Sequence, residues 1–253
     1  MYDIQDDRAG RVPEAPEAAL RALTVVTVDR VRLRLPEAVT LLRQWSREGR
    51  TVHDEIVEQC LLLNEVLDDD EPLAEADLRA ATEEFRRARG LRDRSSTLAW
   101  LAETSMTGEQ YEAFVAGAAR RRRFRRRKEA ELAAAYLEAH RADFDRVRAL
   151  WASGPQPVNG ELLRGLGGLL GCGEATVTLG ERWAADVPAP LRDAPRGSLV
   201  GPLAHAGGYL TGLVLERTAC RDDTPTLRAA GTAAFAEWLA DRRRHACVEW
   251  HLS

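Results

Sequence analysis

Leu191–Arg217 reads LRDAPRGSLVGPLAHAGGYLTGLVLER. Apolar runs at Leu199–Leu203 and Tyr209–Glu216 flank the break Ala204-His205-Ala206-Gly207-Gly208. Two short apolar runs around a glycine-bearing break predict paired strands. Further out, Ala175, Val177 and Leu179 alternate with polar residues, and Val147–Trp151 suits another strand. Glycine and proline are frequent between Gly154 and Gly212. Thr226–Arg243 then returns to helical spacing through Ala229, Ala233, Phe235, Trp238 and Leu239, and Cys247–His251 is a last strand candidate. Strands mixed with short helices predict an α+β domain over residues 141–253.

Upstream the pattern is helical. Residues 1–20 carry Gly10, Pro13 and Pro16 among charges and read as a flexible arm. Val26 and Val28, then Val31, Leu33 and Leu35, alternate on either side of Asp29-Arg30, which predicts two short strands and a tight turn without glycine. Pro36 suits the first turn of a helix carrying Val39, Leu42 and Trp45. Ile56–Leu67 is apolar on more than one face, as expected of a central buried helix. Ala74–Arg89 places Leu78, Ala81, Phe85 and Ala88 on one stripe, with Gly90 as its cap. Thr107 and Gln110 have capping-box spacing and announce a long helix running to about His140. Residues 21–140 are therefore read as a mainly helical domain with a small β element at its front.

Composition narrows the class. The 253 residues include 36 basic and 40 acidic side chains for a formal charge of −4, and Lys128 is the lone lysine. No apolar run approaches the roughly 20 residues that cross a bilayer. Met1–Pro16 lacks the cationic and apolar regions of a signal peptide. Cys60, Cys172, Cys220 and Cys247 form no CxxC pair, and His53, His140, His205, His245 and His251 show no metal-ligand spacing. The expectation is a cytoplasmic protein, without metal or cofactor and without a membrane partner.

The opening stretch resembles the C-terminal half of parvulin-type, PpiC-like peptidyl-prolyl isomerase domains. There a short helix leads into GxVxGPV, a turn, then GYHxxxVxxR. The matching residues are Gly197, Val200, Gly201, Pro202, Gly208, Tyr209, Val214 and Arg217. Gly167-Gly168 and Leu170-Gly171 stand where that family has its GGxLG turn. Glu84–Leu91, Trp100-Leu101 and Met106–Val115 look like phrases of the helical chaperone domain in SurA-type proteins. The ending through Phe235, Trp238, Leu239, Arg243, Ala246, Val248 and Trp250 looks like a PpiC-related group tied to peptide maturation in natural-product pathways. The resemblance implies a helical chaperone-like domain followed by a reduced parvulin-like domain. Two departures matter. Leu210 stands at the family's second histidine, and no histidine lies on the first-strand candidate Arg146–Trp151. The stretch from that strand to Gly167-Gly168 is also too short for the family's active-site helix, so this domain looks like a truncated parvulin.

The implied function is binding of a peptide or unfolded segment, as an accessory or maturation factor, through Trp183, Leu203, Tyr209 and Leu210. An active isomerase with a rebuilt site, or a peptide-modifying enzyme on the same scaffold, are the alternatives. For a rebuilt site, His205 is the nearby imidazole, otherwise a surface turn histidine. Cys172 is the nearby thiol, otherwise a small buried side chain. The glycines around Gly167 lack the context of a phosphate loop and read as a turn. Arg120–Lys128 puts eight cations around all faces of one helix. Arg122, Arg123, Arg125 and Arg126 either meet an acidic partner, such as a precursor peptide, or form a solvated, ion-paired surface. Nucleic acid is not favoured at −4 overall. A maturation enzyme is a further possible partner under the resemblance.

Overall fold

The computed structural model describes residues 23–35, 38–39, 51–103, 106–159 and 174–251. The elements are β1 (Thr24–Val28), β2 (Val31–Arg34), α1 (Val52–Val66), α2 (Glu75–Ala88), α3 (Arg94–Glu103) and α4 (Gly108–Ala139). They continue with β3 (Arg146–Gly154), β4 (Thr176–Trp183), α5 (Ala189–Arg192), β5 (Leu199–His205), β6 (Gly208–Thr218), α6 (Thr224–His245) and β7 (Val248–Trp250). The protein is α+β, as the sequence predicts. The expected helix after Pro36 lies mostly outside the described residues. The chain forms two compact units, 1–126 with 237–253, and 127–236.

In the first unit, β1 and β2 pair antiparallel around Asp29, whose φ of 50° makes the tight turn without a glycine. Asp29 also holds the C-terminal strand. Its N–H donates to the Cys247 carbonyl at 2.9 Å, and its Oδ1 accepts from the Cys247 N–H at 2.9 Å. β7 therefore pairs with β1 and completes a three-stranded sheet in the order β2-β1-β7. β7 falls within the first compact unit. Buried Asn64 of α1 fixes the hairpin to the helix. Its Nδ2 donates to Val28 O at 2.8 Å and Cys60 O at 3.0 Å, and its Oδ1 accepts from the Arg30 N–H at 3.1 Å.

α2 ends in a Schellman arrangement, with Leu91 N–H to Arg86 O and Gly90 N–H to Arg87 O. α4 starts with the expected capping box: Gln110 N–H reaches Thr107 Oγ1 at 3.2 Å, and Thr107 N–H reaches Gln110 Oε1 at 2.9 Å. Phe85 of α2 sits among Trp100, Tyr111 and Phe114 at centroid distances of 5.1, 5.3 and 5.5 Å.

The second unit is built on an antiparallel sheet in the order β4-β3-β6-β5. Alternation along β3 separates its two faces. Val147 and Ala149, with Val214 of β6, pack under Ala184, Val187 and Leu191. Leu150 and Ala152 face the other way, toward Val158. Thr211 Oγ1 donates to Val158 O at 2.7 Å and holds that segment over the sheet. Leu137, Phe144 and Ala230 form a further cluster against Trp183, Tyr136 and Leu227.

Candidate peptide-binding site

The residues shared with the parvulin pattern have clear local duties. Gly201 has φ 93°, and a Cβ there would collide with the Leu210 carbonyl oxygen, so β5 can approach β6 only with glycine at this point. Gly197 N–H donates to Val214 O at 2.7 Å, and Val214 N–H to Ser198 O at 3.2 Å, which closes the turn into β5. Val214 is fully buried. Arg217 donates to the Arg192 carbonyl at the end of α5 and to Asp145 Oδ2 at 3.3 Å. Asp145 in turn accepts from Cys220 N–H at 3.0 Å. A Cβ on Gly212 would meet both Leu191 methyls at 2.7 Å, so α5 sits directly on the sheet.

The chemical positions are different. β3 reads RVRALWASG and carries no histidine. Leu210, at the second histidine position, is 0% exposed and lies opposite Ser153 and Leu203. Leu210 was expected to touch peptide; its burial removes it from any contact surface. His205 pairs with Gly208 at the mouth of the β5–β6 hairpin, where Ala206 and Gly207 form a two-residue turn with φ 47° and 79°. No hydrogen bond joins His205 to an acid or a thiol among the described residues, so it has no relay and is a turn histidine. Cys172 and the glycines at 165–173 lie outside the described residues, as does the second part of the stretch expected to lack the active-site helix.

The remaining expected contacts do not form one surface. Leu203 and Tyr209 are 43% and 40% exposed. Their register partners are Leu210 and Ala204, which puts them on opposite faces of the hairpin. Tyr209 lies opposite Gly154, and Trp183 lies opposite Arg146 at the other end of β3. At ~3.3 Å per residue the two ends are about 26 Å apart.

Trp183 lines a cleft of about 370 Å³ with Arg146, Glu181, Arg182, Asp186 and Pro225. The Arg146 guanidinium stands 4.9 Å from the indole centroid. It pairs with Asp223 Oδ2 at 3.1 Å and Glu181 Oε1 at 3.6 Å. Asp223 also caps α6, accepting from Thr226 Oγ1 at 2.6 Å and Thr226 N–H at 2.9 Å. Those two hydrogen bonds, and then Arg146, hold its carboxyl below the ordinary carboxylate range. The sequence missed this cluster, although an Asp three residues before a Thr at a helix start is a legible cap signal. It can bind and orient a chain, but it offers no acid–base pair poised on a shared proton.

The arginine helix is engaged by its own unit. Arg123 pairs with Asp69 at 2.7 Å with only 14% and 11% of the two side chains exposed. It also donates to Pro72 O and Glu71 O. Arg122 pairs with Glu84 at 2.7 Å, and Arg126 with Asp77 at 2.6 Å. The acidic run around Asp69 supplies part of the neutralising charge. Three of the four arginines expected to meet an acidic partner thus have partners within the protein, Arg123 in a shielded pair and Arg122 and Arg126 in exposed ones. Arg125 also interacts within it.

No family model and no curated protein matches the chain. Solved structures give distant likenesses. One of two SurA-like chaperones of Campylobacter jejuni is 11% identical with a TM-score of 0.31, covering 91% of this chain and all of that one. The peptidylprolyl isomerase PrsA from Bacillus cereus is 10% identical with a TM-score of 0.37, covering 89% and 91%. PrsA from Bacillus subtilis is 12% identical with a TM-score of 0.26, covering 89% and 90%. Likeness at these scores carries no function across to this chain.

Proposed function

We propose that this protein is a chaperone-like peptide-binding factor whose sheet unit holds client segments without isomerising them. The observation that carries the reading is Leu210. It fills the histidine position of the GYHxxxVxxR pattern and is sealed in the core, while β3 supplies no histidine opposite. An isomerase must stabilise the twisted amide over the planar one. Apolar contact alone holds both forms about equally, so binding survives where catalysis does not. Tyr209, exposed at the hairpin end, and Trp183, in its charged cleft, are two separate contact points on this reading. Clients are peptide or unfolded-protein segments, a precursor peptide awaiting maturation among them.

The test is exchange NMR on an alanine–proline peptide with the full chain. Isomerisation is expected to stay at the uncatalysed scale of tens to hundreds of seconds. Line broadening should report binding, weakened by Tyr209→Ala without loss of fold. Turnover that disappears in His205→Ala or Cys172→Ala would overturn the reading in favour of a rebuilt active site.

A further inference from the structure

The helical unit has a concave surface of its own, between α2 and the start of α4, with a volume of about 490 Å³. That lies within the ~300–1,000 Å³ typical of ligand pockets. On α4, Glu109, Glu112, Ala113 and Ala116 recur at steps of three and four, so they share one helix face. The two alanines are short, which leaves the space open. Leu78 of α2 and buried Val115 give it an apolar floor. Tyr111 closes one side, and its Oη is buried without a hydrogen-bond partner among the described residues.

The charges lining this groove are all of one sign. Glu109 and Glu112 are both exposed, and no basic side chain lines it among the described residues. Arg86 and Arg89 act on the Tyr111 phenol electrostatically but stand outside the lining. Arg122, Arg123 and Arg126 are tied to Glu84, Asp69 and Asp77. The helix dipole accounts for an acid in the first turn of α4, which is Glu109. It does not account for Glu112, which stands beyond that turn.

We propose that this groove docks a basic, amphipathic segment of a client polypeptide. A leucine-sized side chain enters over Leu78 and Val115, and a lysine or arginine nearby in the client meets Glu109 and Glu112. The inference rests on the peptide-binding reading for the class of client, and it reverses the expected sign of that client from acidic to basic. Complementary charge at the rim sets the choice of partner, while the apolar floor supplies the anchor.

The test is fluorescence anisotropy on the full chain with two labelled designed peptides. One is built of leucine, alanine and lysine with leucines at helical spacing; the other has each lysine replaced by glutamate. The basic peptide should bind about tenfold or more tightly than the acidic one, as two surface ion pairs replaced by two repulsions allow. Glu109→Lys with Glu112→Lys should reverse that preference. Ala113→Trp, at an exposed position, should fill the groove and weaken both peptides with the fold intact. Equal binding of the two peptides, or groove variants that bind like the parent, would overturn the proposal. If Tyr209→Ala alone abolishes binding, the groove proposal fails while the sheet reading stands. If neither designed peptide binds, the groove proposal fails and the NMR experiment decides the sheet reading by itself.

Discussion

Leu210→His returns the histidine of the GYHxxxVxxR pattern by one substitution, and it should damage the fold rather than restore a catalyst. Leu210 is fully buried, so the change forfeits most of the roughly 1.5–3 kcal/mol that a buried leucine contributes. The imidazole brings two ring nitrogens. Ser153, opposite in register and half-buried, can serve one of them. The other is left without an obvious partner, which costs a further ~1–3 kcal/mol. The expected loss is about 3–5 kcal/mol, against the ~5–15 kcal/mol that holds a typical domain. Burial favours the neutral ring, so the folded pKa should fall below the unfolded value of about 6.5. The unfolded chain then binds the extra proton, and stability should fall further with acid, by about 1.4 kcal/mol per pH unit below that value. Native-state hydrogen exchange at Ala149 and Val214 amides follows the sheet unit directly and should be compared at about pH 8 and about pH 5.5. A loss under about 1 kcal/mol with no added penalty in acid would show that the position is open to solvent. Isomerase turnover in the same variant would show that only the histidine was missing.

Three other changes bear on the scaffold and the arginine helix. Asn64→Leu removes the contacts to Val28 O, Cys60 O and the Arg30 N–H, and should cost about 2–4 kcal/mol in urea unfolding. Asp223→Ala removes the α6 cap. Because hydrogen bonds lower the Asp223 pKa in the folded state, its contribution is present above the unfolded value of about 3.9 and vanishes as pH falls through the lower folded value. Thermal melts of parent and variant should therefore differ at neutral pH and converge below about pH 4. Arg122→Gln with Arg126→Gln should leave peptide affinity unchanged and cost at most about 1 kcal/mol per exposed pair, read by the same urea titration. A marked loss of peptide binding in that double variant would restore the arginines as a docking surface.

Much of the architecture was legible where a local rule has a local cause. Thr107 and Gln110 announced α4 because a capping box needs only four consecutive residues. The β1–β2 turn was legible from alternation alone, although Asp29 rather than glycine takes the positive φ. Local rules could not place β7. A three-residue strand chooses its sheet by long-range pairing, and here the choice is made by Asp29, more than two hundred residues earlier. The split between Leu203 and Tyr209 was within reach. Taking Ala206-Gly207 as a two-residue turn fixes the register, and period two then sends the pair to opposite faces. A break of five residues leaves that register open and merges the faces.

The parvulin resemblance separates by physics into two sets of positions. Gly197, Gly201, Val214 and Arg217 close a turn, permit a strand to approach, fill the core and tie β6 to α5. Each of those duties is needed to build this sheet whatever the domain does, so their presence informs on fold and is silent on catalysis. The positions that would inform on catalysis are the two histidines. One is filled by a sealed leucine, and the strand for the other has none to offer. Most residues of the motif match are therefore structural, and the match weighs on fold more than on chemistry. What the sheet keeps is a stable body with exposed Tyr209 at one end and the Trp183 cleft at the other, about 26 Å apart along β3. One active site would need these features together. On the proposed peptide-binding reading, a client chain in extended form would span that distance with about eight residues.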